Sequence, residues 1–169
     1  MGIQKSEIYK KITGKEGFCR HITFGGVNWL GIESFIQKVA DLYSSIKCLA
    51  WQPKEYEPIE VDYKDILNSL KKAWALAEIY VEDTNNILQQ LQIDISVDED
   101  VQPLLELTYY PEDINLEPEN IDSFINLVED WYNTLKAKTF FVRYTNGMWD
   151  FGDASQESGV IYTSNMDFE

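Results

Sequence analysis

Residues 66–91, ILNSLKKAWALAEIYVEDTNNILQQL, carry the longest periodic pattern in the chain. Ile66, Leu70, Ala73, Ala77, Tyr80, Thr84, Ile87 and Leu91 recur at alternating intervals of four and three, a heptad seam interrupted by Thr84 and widened by Trp74, Val81 and Leu88. The spacing predicts a helix from Asp62 to Leu91, roughly 45 Å long at about 1.5 Å per residue. Such a seam is buried against other helices of the same chain, which the extra aromatics favour, or against a second copy in a coiled coil. Asp83, Thr84, Asn85 and Asn86 are all cap-type residues, so the helix is expected to kink between Glu82 and Asn86.

Two further helices follow from the same logic. Ile32, Phe35, Ile36, Val39, Tyr43, Ile46 and Ala50 give one apolar face over 31–51, with Pro53 as the stop. Ile121, Phe124, Ile125, Val128, Trp131, Tyr132 and Leu135 give another over 118–138. Glu117, Glu119 and Asp122 sit at its start and Lys136 and Lys138 near its end, as the helix dipole favours.

Strand signals are fewer. Phe18 to Phe24 alternates loosely, and Ile93-Asp94-Ile95-Ser96-Val97 alternates with period two. The C-terminal part carries the clearest one. Thr139 to Thr145, Asn146-Gly147 and Met148 to Phe151 read as a hairpin with a type I′ turn. That register sets Val142 opposite Phe151 and Arg143 opposite Asp150, and Val160 to Thr163 adds a third strand. The expected fold is one α+β domain over 1–169, with three main helices and a small C-terminal antiparallel sheet. Residues 1–30 read as a basic arm, helical over 2–13, followed by the short strand.

The charge is extreme and uneven. The chain of 169 residues has a net charge of −15, yet Ala73 to Leu135 holds fifteen carboxylates and no Lys, Arg or His. Direct contact with DNA, RNA or an anionic membrane is disfavoured, because a binder must neutralise phosphates with cations. No stretch reads as a signal peptide or membrane span, and two cysteines, Cys19 and Cys48, read as reduced thiols of a cytoplasmic protein.

Few residues point to chemistry. Cys19-x-His21 includes the only histidine, but a structural zinc site wants four ligands. A Cys–His nucleophilic pair needs the two side chains to meet in the fold. Asp94-x-Ser96-x-Asp98-x-Asp100 opens like a calcium loop, then places Glu99 where glycine is required and Leu105 where glutamate is required. No cofactor and no catalytic constellation is expected.

What remains is the acidic surface. Like charges at helical spacing repel, and an unmixed acidic window suggests that a basic partner offsets the repulsion. The expectation is an acidic protein inhibitor occupying the basic groove of a nucleic-acid-binding protein. Anti-CRISPR, anti-restriction and nuclease-immunity proteins behave in this way. The residues expected to make the contact are Asp98, Glu99, Asp100, Tyr109, Tyr110, Glu112, Asp113, Glu117 and Glu119. The alternative is a structural or adaptor protein that forms a homodimer through the 66–91 seam.

Overall fold

Period-two burial, rather than helical periodicity, organises most of the chain. The computed structural model describes residues 3–15, 19–51, 56–72, 76–97, 102–145 and 159–166. In chain order the elements are α1 (Lys5–Thr13), β1 (Arg20–Gly25), α2 (Trp29–Leu42), β2 (Ser45–Trp51) and β3 (Ile59–Val61). Then come α3 (Ile66–Lys72), β4 (Leu76–Glu82), β5 (Gln90–Val97), β6 (Pro103–Tyr109), α4 (Ile121–Leu135), β7 (Thr139–Tyr144) and β8 (Val160–Thr163).

The eight strands among the described residues join one antiparallel sheet in the order β3-β2-β4-β5-β6-β1-β7-β8. The expected small C-terminal sheet is therefore wrong: the sheet is the body of the molecule. The long helix over 62–91 is wrong as well. Ala77, Ile79 and Val81 point into the core while Glu78, Tyr80 and Glu82 point away, which is strand alternation. The cap-type residues make a reversal instead of a kink. Asp83 Oδ1 accepts the Asn85 N–H at 2.9 Å, an Asx turn, and Asp83 N–H bonds Gln89 O at 2.9 Å. With α3, β4 and the start of β5 in its place, the continuous helical seam proposed for self-association does not form.

The helix expected over 31–51 runs only to Leu42. Tyr43 is extended, and Cys48 and Ala50 are buried as alternate residues of β2. Tyr43 stays in the core because its hydroxyl donates to Leu88 O at 2.8 Å. The helix at 121–135 and the strand at 160–163 are where the sequence reading put them. Val142 pairs with Ile22 on one side and Tyr162 on the other, while Met148 to Phe151, expected to form the hairpin's second strand, lie outside the described residues. Asn146 and Gly147 lie outside them as well.

One face of the sheet is covered by helices. Ile8 and Ile12 of α1, Ile32 and Phe35 of α2, Ile66 of α3, and Phe124, Val128 and Trp131 of α4 are all fully buried. They pack on Ile22, Phe24, Ile93, Ile95, Leu105 and Leu107. Phe35 meets Trp131 edge to face at 5.8 Å between ring centroids. Arg20 is fully buried and fastens α1 to the sheet. It donates to Lys11 O at 2.8 Å and to Gly14 O at 2.7 Å, carbonyls at the negative end of the helix, and its guanidinium lies 4.4 Å from the Tyr144 ring centre.

The crossing of α2 and α4 depends on Gly31, where a Cβ would run into the Leu135 carbonyl. Gly31→Ala is expected to lower stability by about 2 kcal/mol through forced backbone movement, measured by urea unfolding. Ser34→Ala, at an exposed position of the same helix, should change it by less than about 0.5 kcal/mol.

Candidate functional site

Among the described residues, no helix covers the other face of the sheet over its central strands. Burying Ala77, Ile79, Ile93, Ile95, Leu105 and Leu107 under the helices sends the residues between them outward. The pairing then aligns one carboxylate from each of three neighbouring strands. Glu78 lies opposite Asp94, and Asp94 lies opposite Glu106. Thr23 continues the row on one side and Leu49 on the other, with Glu60 beyond it. At about 4.8 Å between strands the three acids span roughly 10 Å. Like charges directly opposite one another are destabilising in a sheet.

Each carboxylate is held by neighbours that limit that cost. Glu78 accepts from the Trp51 indole N–H and the Tyr80 hydroxyl, both at 3.2 Å. Asp94 accepts from the Gln92 amide at 2.9 Å. Glu106 has the strongest set: Thr23 Oγ1 and Arg143 Nη2 both reach its Oε2 at 2.7 Å, and His21 Nδ1 lies 3.2 Å from its Oε1.

Their proton affinities diverge accordingly. For Glu106 burial raises the pKa, but the hydrogen bonds from His21 and Thr23 and the charges of His21 and Arg143 outweigh it and bring the group to about 2. Asp94 moves up, chiefly through burial, with Glu78 and Glu106 adding repulsion that the Gln92 hydrogen bond only partly offsets. Tyr80 is pushed up to about 12 by burial and by Glu78.

The open area continues past this row. Lys47, Tyr80, Gln92 and Thr108 line a shallow depression of about 480 Å³ that ends at Tyr110. Beyond β1 the same face closes: Thr23, Phe141, Arg143 and Thr163 are buried. Cys19 and His21 also lie on this face. Cys19 Sγ is 3.6 Å from His21 Nε2, so the fold does bring the pair together. Among the described residues no group of three His, Cys, Asp or Glu is placed to hold a metal ion, and no helix is long and apolar enough to cross a membrane.

Of the residues singled out from the sequence, Tyr110 borders the depression. Asp98, Glu99 and Asp100 lie outside the described residues. Tyr109 points into the core against Phe124, 1 % exposed. Tyr110 is exposed, and Glu112 and Asp113 follow it in a 3₁₀ turn at the end of the depression. Glu117 and Glu119 are exposed before α4. Burial raises the Asp113 pKa, with added repulsion from Glu112 and Glu82, so the turn and the end of β4 form one acidic corner. Sequence reasoning missed Glu78, Asp94 and Glu106 as a unit. The signal was present: Asp94 and Glu106 each sit between two buried aliphatic residues.

No protein-family model and no curated protein matches the chain. Its fold is that of an α+β protein with one large antiparallel sheet covered on one side. That fold is similar to a chain in the crystal structure of the toxic C-terminal tip of CdiA from Pseudomonas aeruginosa in complex with immune protein. The TM-score is 0.57 at 11 % identity, over 88 % of this chain and 96 % of that chain.

Opposite shifts give opposite pH behaviour. The Glu106 pKa falls from the usual 4.5 to about 2, so its ionisation favours the fold; that contribution is full above pH 4.5 and is lost as pH falls through about 2. Glu106→Gln should lower stability at pH 7 by roughly 2 kcal/mol, allowing for solvent screening, and the loss should shrink toward pH 2. Asp94 is raised, so its ionisation opposes folding once pH exceeds the ordinary carboxylate range. Asp94→Asn should raise the urea midpoint at pH 7 and leave it unchanged at pH 3.

Proposed function

We propose that this protein is an immunity-type inhibitor, an acidic binder that neutralises a toxin polypeptide by occupying a basic surface on it. The observation that carries the reading is the uncovered sheet face with Glu78, Asp94 and Glu106 in one row. Charges set side by side at a cost to the free protein are relieved when cations of a partner come between them. Two further facts support it: the net charge of −15, and the likeness over nearly the whole of both chains to a fold found in a toxin–immunity complex.

In this reading the partner is a nucleic-acid-binding protein, and the carboxylate row stands where phosphates would lie. Trp51, Tyr80 and Tyr110 flank the acids and supply the aromatic anchors that give such interfaces much of their affinity. The acidic corner at Glu82, Glu112 and Asp113 extends the same negative field and speeds encounter. Glu117 and Glu119 contribute to that field from before α4. Inhibition is stoichiometric, with no reaction on the inhibitor, and takes place in the cytoplasm.

The test begins with affinity capture from the native organism, followed by binding of the purified pair. A basic partner is expected, with affinity that falls at least about tenfold between low and high salt. Combining Glu78→Gln with Asp94→Asn should weaken binding by a further tenfold or so, about 1.4 kcal/mol. An acidic partner, or an affinity indifferent to both salt and the double substitution, contradicts the proposal.

A further inference from the structure

We propose that Cys19 is a peroxide-reactive thiol for which His21 serves as the base and Glu106 as the positioning residue. The inference does not rest on what the sheet face binds. It rests on three side chains from two neighbouring strands: Cys19 Sγ lies 3.6 Å from His21 Nε2, and His21 Nδ1 lies 3.2 Å from Glu106 Oε1. This is the nucleophile–base–orienter arrangement of activated thiols.

The tautomer follows from the surroundings. Glu106, fastened as an anion by Thr23 and Arg143, has only lone pairs to offer, so it accepts from His21 Nδ1–H. Thr108 Oγ1, 3.0 Å from the same nitrogen, completes its setting. The Nε2 lone pair is thereby turned to the thiol. Thr145 Oγ1 stands 2.9 Å from the sulfur and donates to the Cys19 carbonyl at 3.0 Å, which holds the hydroxyl beside the thiol. The charged groups facing His21 are Glu106 on β6, Arg143 on β7 and, farther off, Asp94 on β5.

Cys48 offers the contrast. It belongs to the helix-covered face, is buried in the core, and has its thiol pushed up to about 12 by burial and by Asp62 and Glu60. The two cysteines lie on opposite faces of the sheet, so oxidation of Cys19 does not end in a disulfide with Cys48. Cys19 is 8 % exposed, which suits a reactant as small as a hydroperoxide. The sulfur lone pair attacks one peroxide oxygen and the O–O bond breaks. His21 takes the thiol proton and passes it to the departing hydroxide, which leaves as water. Sulfur is oxidised to a sulfenic acid and the peroxide is reduced.

The experiment treats the folded wild-type protein with hydrogen peroxide, traps sulfenic acid with dimedone, and follows each cysteine by peptide mass spectrometry. Cys19 should react at least about tenfold faster than Cys48 at pH 7. His21→Gln should slow Cys19 about tenfold at pH 7 and much less at pH 9, where hydroxide in solution replaces the imidazole as base. Equal rates for the two cysteines in the wild type overturn the proposal, with no variant needed. So does a folded His21→Gln protein whose Cys19 rate matches the wild type at pH 7.

Discussion

The alternation of side chains along the central strands is the constraint on which the rest depends. Ile93 and Ile95 must be buried, so Asp94 between them must face the other way; Leu105 and Leu107 impose the same on Glu106, and Ala77 and Ile79 on Glu78. A register slip of one residue in any of these strands would turn a carboxylate into the core under the helices. The hydrophobic core and the acidic face are thus two consequences of one pattern. Neither side can change without the other.

Charge is handled in two ways within a short distance. Arg20 is sealed on the helix side and has backbone carbonyls of α1 and an aromatic ring around it, so the cation is satisfied by dipoles. Arg143, which pairs with His21 next to the end of the β1–β7 ladder, faces the other side and meets Glu106 directly. The first contact docks a helix onto the sheet. The second marks where the uncovered face begins, with Glu106 neutralised at the border and Asp94 and Glu78 beyond it. Asp94, half-buried in the middle of the row, has a hydrogen bond from Gln92 and a carboxylate opposite it on each side.

How much of this was legible in the sequence depends on the element. The helix at 121–135 was, because its stripe has no competing alternation and its flanking charges suit its dipole. Residues 76–82 were not: Ala77, Tyr80 and Thr84 satisfy helical spacing while Ala77, Ile79 and Val81 satisfy strand spacing, and local pattern alone does not choose. The choice is made by partners distant in the chain, since β4 is bonded to both β2 and β5. Residues 43–51 failed for the same reason. The acids of the site were visible as acids, but their convergence depends on strand order, which links Thr23 to Glu106 across 83 positions. Cys19 and His21 were visible as a pair, and their meeting needed only that residues two apart on a strand share a face.

In the proposed complex the open sheet face, not the helical side, meets the partner. Carboxyl footprinting with a water-soluble carbodiimide and an amine, on the free protein and on its complex with the captured partner, tests it most directly. Glu78 and Asp94 are expected to become protected in the complex, while Glu33 on α2 and Glu129 on α4 label as before. Protection of Glu33 and Glu129 with Glu78 and Asp94 unchanged would contradict it.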